Sequence, residues 1–377
     1  MKKYKNNIFQ SDELFHLTFR RHKYKKEKRK KSRINIYVFF FFIIIFIISS
    51  LVCYYLLYKR KQNSQSDKNN IKTSKNLIES YIKTQKDFCE NPNKYINQNY
   101  EDNIFLSDIN FKGTKFQMYI FKTHNFLLDQ IKKYGAFEIR ESNYMIEALK
   151  FYSSKFNILN NKDIYMLDIG GNIGWYPSLL GRYGYTILSF EAFERNNYVA
   201  NKNYCFLNKE SNVILIPQGL SSEVKICYYY NQRVNAGNGM VLCDKKTEIN
   251  RTGPGKMFIK ESQINITTLN TFMPYLSNKH IALIKIDVEG HEFEVLEGGK
   301  DLITKYHVPF ICLEFSPSYL NDVGSKPKQL AQLFVDNGYK ISIDGFLSKK
   351  YMTVDELLKK AIFQINCFFI HDSIINA

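Results

Sequence analysis

The sequence predicts an α/β fold built on a doubly wound sheet. Three observations carry that prediction. From about residue 105 onward, short apolar runs alternate with amphipathic stretches. Two of the runs, IALIKI (281–286) and VPFICLEF (308–315), read as continuous apolar strands, the pattern of strands covered on both faces. A third run ends in a glycine-rich turn ahead of a helical stretch, MLDIGGNIGWY (166–176). In sheets with this βαβ rhythm, ligands sit beyond the carboxyl ends of the strands, near the switch point.

The N-terminal part differs in composition. The chain has 377 residues and a formal charge of +17. Residues 1–75 hold 19 Lys/Arg against 4 Asp/Glu, and the rest hold 34 against 32. The basicity therefore belongs to the N-terminal segment, which argues against nucleic-acid binding by the folded body. Residues 1–35 read as a basic cytoplasmic tail. Residues 36–58, IYVFFFFIIIFIISSLVCYYLLY, carry no charge and are long enough to span a bilayer. They read as a transmembrane signal anchor, with the lipid bilayer as a partner. Nine Lys/Arg at 21–33 precede the run, so the larger cluster places residues 59–377 on the lumenal (Golgi or ER) or extracellular side. Asn250 and Asn265 begin sequons that would be usable there. Residues 59–104 are polar and read as a stem, and 105–377 as the folded domain. The seven cysteines form no CxxC pair, and their spacing shows no disulfide framework. Cys312 lies in a core strand and reads as a buried small hydrophobe.

Within the domain the expected strands are 163–169, 185–190, 213–217, 281–286, 308–315, 339–343 and 365–371. Helices are expected at 173–182, 194–206 and 327–337. Residues 224–272 break the rhythm and read as a β-rich insert. NAGNG (235–239) within it reads as a loop bordering the site.

The first strand tip ends in Asp168, followed by Gly170, Gly171, Asn172 and Gly174. Glycines let the backbone turn tightly and approach a ligand closely. The spacing departs from the GxGxxG pyrophosphate fingerprint. It matches instead the D-x-G-x-x-x-G turn that cradles the amino-acid end of S-adenosylmethionine in methyltransferases. The second tip, LSFEAFERN (188–196), ends in Glu191, an acid placed to accept hydrogen bonds from both ribose hydroxyls. Asn172 contacts the cofactor or stabilises the turn. Trp175, the single tryptophan, reads by default as helix–sheet packing.

The fourth tip, IKIDVEGHEFEVLEGG (284–299), carries five acids. Asp287 and Glu289 leave a buried strand and precede Gly290 and His291. Glu292, Glu294 and Glu297 lie on a helix that Gly298-Gly299 ends, where first-turn acids are stabilised by the helix dipole. Glu294 and Glu297 read as solvated, and Glu292 stays undecided.

With LDIGGNIGWY (167–176), SFEAFERN (189–196), TTLNTF (267–272), IKIDVEGHEFEVLEGG and ICLEF (311–315) in this order and spacing, the sequence resembles the FkbM-type methyltransferases over roughly 110–372. Asn270 departs from the aspartate common there. The resemblance implies a Rossmann-like seven-stranded methyltransferase sheet, S-adenosylmethionine as cofactor and O-methylation as the reaction. The cofactor residues are then Asp168, Gly170, Gly171, Asn172, Gly174 and Glu191.

A hydroxyl acceptor must lose its proton, so a carboxylate or histidine is needed within reach. Asp287 is the first choice for that base or hydroxyl ligand, His291 the second, with Glu289 beside them. A metal held by Asp287, Glu289 and Glu314 is weighed but not assigned. The resulting expectation is a membrane-anchored O-methyltransferase for a sugar or glycolipid hydroxyl. The competing readings are an anchored non-catalytic domain of the same fold and a type II glycosyltransferase. The latter lacks a DxD motif at a strand end.

Overall fold

The protein is described from a computed structural model that covers residues 72–122, 126–207, 212–232, 235–243 and 258–375. A helix over 72–90 leads into the hairpin β1 (Ile104–Phe111) and β2 (Thr114–Phe121). The hairpin closes through Lys112 and Gly113, both at positive φ, as a two-residue turn between twisted strands requires. The helix Ile139–Lys155 then feeds the main sheet. That sheet contains β3 (Ile164–Ile169), β4 (Thr186–Phe190) and β5 (Asn212–Ile216). A separate four-stranded sheet follows, made of β6 (Gly219–Leu220), β7 (Lys225–Gln232), β8 (Asn235–Leu242) and β9 (Phe258–Thr267). The chain returns to the main sheet as β10 (His280–Ile286), β11 (Phe310–Phe315), β12 (Tyr339–Ser342) and β13 (Ile365–His371).

The main sheet has the order β12-β13-β11-β10-β3-β4-β5. β11, β10, β3, β4 and β5 run parallel, while β13 lies antiparallel to both β11 and β12. All seven expected strands are present. The reversed β13 was not legible, because strand direction depends on how the connection crosses the sheet. Both faces are covered, and alternate residues of each strand enter different cores. Met166, Leu283 and Cys312 belong to one, and Leu167, Ile284 and Leu313 to the other. This is why these runs carry no polar–apolar alternation.

The insert is β-rich, as expected, with order β6-β9-β7-β8. NAGNG is not a loop, however: it forms the start of β8, paired antiparallel with β7. Two disulfides, Cys89–Cys205 and Cys227–Cys243, pair cysteines whose spacing gave no sign of it. Cys312 is free and buried, as expected. The helix over 72–90 lies within the span assigned to a polar stem. Its Gln85 covers the edge strand β5: Nε2 donates to Val213 O at 2.9 Å and Oε1 accepts from Leu215 N at 2.9 Å. Edge strands need such cover against further pairing.

One expectation is corrected. Among the described residues no helix is long and apolar enough to cross a membrane. The run 36–58, which carries the expected signal anchor, the bilayer partner and the lumenal or extracellular placement, lies outside the described residues. The longest described helices, over 72–90 and Ile139–Lys155, bury one face and carry charged residues on the other. That pattern suits packing on a sheet rather than the ~20 apolar residues of a span. The architecture is thus a seven-stranded mixed sheet with a β insert and no membrane-crossing helix among the described residues. The anchored form of the function and the single-pass localisation rest on a run outside the described residues and are not carried forward.

Candidate active site

The site lies at the carboxyl ends of the parallel strands. At the β3 tip the chain turns through Gly170 (φ +83°), Asn172 (φ +49°) and Gly174 (φ +83°). The amides of Gly170 and Gly171 both donate to Phe190 O on β4, each at 2.9 Å. Gly170 is the tightest point: a Cβ there would sit 1.8 Å from the Asp287 backbone oxygen. The turn after β3 and the loop after β10 therefore touch through their backbones, and only glycine permits it. Gly171 abuts the Ser189 hydroxyl, and Gly174 the Tyr204 ring.

Asp168 is buried beneath this turn. Ser189 Oγ donates to its Oδ2 at 3.4 Å, while Oδ1 accepts from no donor among the described residues. Burial pushes its carboxyl up to about 6, against the pull of Lys285. Glu191, at the β4 tip, is fixed by two backbone amides. Asn172 N donates to Oε2 and Phe193 N to Oε1, each at 2.8 Å. Each oxygen keeps a further lone pair. Burial raises its pKa to about 7 despite those two bonds.

The β10 tip is built from side chains instead. Asp287 follows the last residue of β10, and Lys285 Nζ, two residues back, donates to its Oδ2 at 2.8 Å. Lys285 also stands in register with Asp168 on β3. Burial alone would favour its neutral amine, but Asp287, Asp168 and Glu138 outweigh burial and hold it charged. Glu138 receives a hydrogen bond from Tyr176 Oη, and burial pushes it up to about 7. On β11, Glu314 hydrogen-bonds Asp287. Burial and the Asp287 charge raise Glu314 strongly, whereas Lys285 and Glu314 overcome burial to hold Asp287 below the usual carboxylate range. The ammonium against Asp287 favours the charge there, so the two carboxyls are pushed apart in acidity. One oxygen from each of Asp287, Glu289 and Glu314 lies within 4.8 Å of the others. A hard divalent cation could sit there only with the Lys285 ammonium displaced from Asp287 and Glu314 ionised.

After Asp287 the chain turns through Glu289 (φ +55°) and Gly290 (φ +104°). Glu292, undecided from sequence, is buried and closes this turn: its Oε1 accepts from Val288 N at 3.3 Å and Gly290 N at 3.1 Å. Glu294 is not solvated as expected, since Ser325 Oγ donates to its Oε1 at 2.9 Å. Glu297 is exposed. His291 Nε2 lies 2.8 Å from Val241 O on β8. A carbonyl only accepts, so Nε2 carries the proton and Nδ1 is the basic atom of the neutral ring.

One pocket collects these parts. Gly170, Asn172 and Glu191 line one side, and Asp287, Glu289 and His291 the other. Asp168, Gly171 and Gly174 lie behind its wall. Tyr229 of β7, stacked on Phe193 with ring centroids 3.6 Å apart, adds the insert to the lining, as do Val241 and Cys243. Trp175 is outside it. Its ring packs among Phe111, Phe116 and Phe137, and its Nε1 donates to Ser142 Oγ at 2.9 Å. Sequence reasoning missed Lys285, Glu138 and the insert wall. For Lys285 a signal existed, a lysine inside an otherwise apolar buried strand.

Residues 168–341 match the family model of the methyltransferase FkbM domain. The chain carries an FkbM methyltransferase domain. The matched span runs from the end of β3 into β12 of the mixed seven-stranded sheet. The FkbM match starts at Asp168 and ends in β12, so it takes in every pocket residue named above. The chain is also similar to Methyltransferase 1 of Beauveria bassiana (strain ARSEF 2860), 27% identical over 161 residues. That similarity covers 37% of this chain and 59% of the relative's length. Among solved structures, magnesium protoporphyrin IX methyltransferase from Synechocystis PCC 6803 with bound S-adenosylmethionine is 11% identical, with a TM-score of 0.34. The match covers 66% of this chain and 86% of that one. The bifunctional kinase-methyltransferase WbdD is 10% identical with a TM-score of 0.35, covering 65% and 42%. Neither structural likeness is strong enough to bear on function; the FkbM domain and the pocket geometry do.

Proposed function

We propose that the chain transfers the methyl group of S-adenosylmethionine to a hydroxyl of a sugar or other small molecule. The observation that carries this reading is the shared pocket. The glycine turn with Glu191 and the Asp287–His291 loop face one cavity, joined where Gly170 meets Asp287 O.

The residues present fit the cofactor. Gly170 lines the cavity and carries no side chain, so its backbone is open to close approach from there. Asp168, behind the wall, supports the turn from beneath, its Oδ1 a buried acceptor without a donor among the described residues. Glu191, pinned through both oxygens, keeps lone pairs for two ribose hydroxyls. The cofactor supplies a methyl group on a sulfonium, already an excellent leaving group. The protein's task is therefore to hold the acceptor oxygen in line and receive its proton. Asp287 is held in place by Lys285 and stays charged, so it accepts a hydrogen bond from the acceptor hydroxyl and fixes its direction. Its depressed pKa makes it a weak base, which suits taking the proton late, as the hydroxyl acidifies. His291 Nδ1 is the alternative proton acceptor.

Transfer of labelled methyl from S-adenosylmethionine to a fractionated sugar and small-molecule extract tests the reading. Asp287→Asn should bind the cofactor normally and turn over about 100-fold slower or worse. Folded wild-type protein that binds no S-adenosylmethionine would sink the proposal. Full turnover in Asp287→Asn would move the proton to His291, to be checked with His291→Gln.

A further inference from the structure

Part of the pocket wall belongs to the insert. Tyr229 comes from β7, Val241 from β8, and Cys243 directly follows β8. β8 is the edge strand of its sheet, with β7 as its neighbour. Their ladder pairs Tyr229 with Val241 and Tyr228 with Leu242, and the Cys227–Cys243 disulfide closes the next step. The cross-link therefore ties the end of β8 to β7 two residues from Val241. Val241 is also where the insert grips the β10 tip, since His291 Nε2 donates to its carbonyl oxygen at 2.8 Å.

The two cysteines differ in access. Cys227 is fully buried, packed with Phe193, Tyr229, Ile264 and Ile266. Cys243 is exposed and lines the pocket. Exposed disulfides are the ones that thiols open readily. A cross-link at the end of an edge strand removes the open states in which that end frays, so opening it restores them. The other disulfide, Cys89–Cys205, contributes no residue to the pocket lining.

We propose that the Cys227–Cys243 disulfide is a redox switch on the Asp287–His291 side of the pocket, holding β8 so that Val241 fixes the imidazole of His291. Opening it takes two electrons from a dithiol. One thiolate of the reductant attacks Cys243 Sγ, the S–S bond breaks, and Cys227 leaves as a thiolate that takes up a proton. The second thiol of the reductant then displaces Cys243 as a thiol and closes the reductant's own disulfide. β8 keeps its ladder to β7 but loses the tie at its end. The imidazole then loses the fixed carbonyl that keeps the proton on Nε2. The effect on turnover rests on the methyltransferase reading, and the effect on the ring does not.

Dithiothreitol treatment of the full chain tests this, with Cys243 followed by iodoacetamide labelling and mass spectrometry. Nitrogen NMR of the histidine rings above neutral pH reads the tautomer, with His291 assigned by its loss in His291→Gln. Transfer of labelled methyl into one fixed extract fraction reads turnover. In the oxidised protein His291 should show a single Nε2–H tautomer. Reduction should move its two nitrogen signals toward averaged values and slow transfer by about tenfold to 100-fold, the cost of a misplaced group. Cys243→Ser, checked for folding by thermal melting, should behave as reduced from the start and ignore dithiothreitol. A disulfide that resists the reductant overturns the proposal, as do unchanged ring signals or an unchanged rate in the reduced protein. So does a Cys243→Ser variant that still responds, which assigns the effect to Cys89–Cys205. If that variant does not fold, the wild-type response with Cys243 labelled decides alone. Oxidised, folded protein that transfers no methyl and binds no S-adenosylhomocysteine defeats the methyltransferase reading instead, and the ring signals then test the switch by themselves.

Discussion

The two halves of the pocket are made in different ways. The β3–β4 half is backbone. Its glycines admit close approach, and its one pocket-facing acid, Glu191, is fixed by the amides of Asn172 and Phe193. The β10–β11 half is side chain. Lys285, Asp287 and Glu314 come from two strands, and Glu138 joins them from the turn before the helix Ile139–Lys155. Backbone geometry confines the first half to a narrow local pattern. The second depends on a balance of charges that several residue combinations could strike.

The contrast predicts different failures. The largest effect is expected for Gly170→Ala. A Cβ 1.8 Å from Asp287 O, at φ +83°, must push the two tips apart. The loss should exceed about 3 kcal/mol and abolish cofactor binding, read by thermal melting and titration. A folded, binding-competent alanine variant would mean that the halves do not meet as described.

Next is Lys285→Met, which leaves Asp287, Asp168 and Glu138 without their buried cation. Breaking a buried pair this way should destabilise by about 3–5 kcal/mol, measured by denaturant unfolding. A neutral result would show that the acids take up protons and dispense with the lysine.

The third concerns pH. Glu191 must be ionised for both oxygens to accept ribose hydroxyls, and its pKa is raised to about 7. Cofactor affinity should therefore be highest above pH 7 and fall as pH drops through that value, by about tenfold overall. Glu191→Gln should be weaker throughout and lose this step. A step that persists in the glutamine variant would assign it to Asp168, raised to about 6.

The smallest effect is expected away from both halves. Gln85→Ala removes two hydrogen bonds from the β5 edge and should cost about 1–2 kcal/mol without altering cofactor affinity.

The difference between the halves also explains what could be read in advance. Strands were legible because a run buried on both faces must be apolar, whatever its neighbours. Asp168, the glycines and Glu191 were legible because a tight turn and the strand-end acid after it are local patterns. Asp287, Glu289 and His291 were found as neighbours on one tip. Lys285 was passed over inside an apolar run, and Glu138 gave no local sign.

The sequence by itself determined the sheet's strands, the glycine turn and the acids at two strand tips. These follow from periodicity and φ requirements that act within a few residues. Tertiary structure alone decided the reversed β13, the Gln85 cover and the two disulfides. It also decided the meeting of Asp287 and Glu314 beside the Lys285 ammonium. Each depends on distances between segments far apart in the chain. Burial, charge and pairing at such points are set by which segments meet, and no local pattern records that.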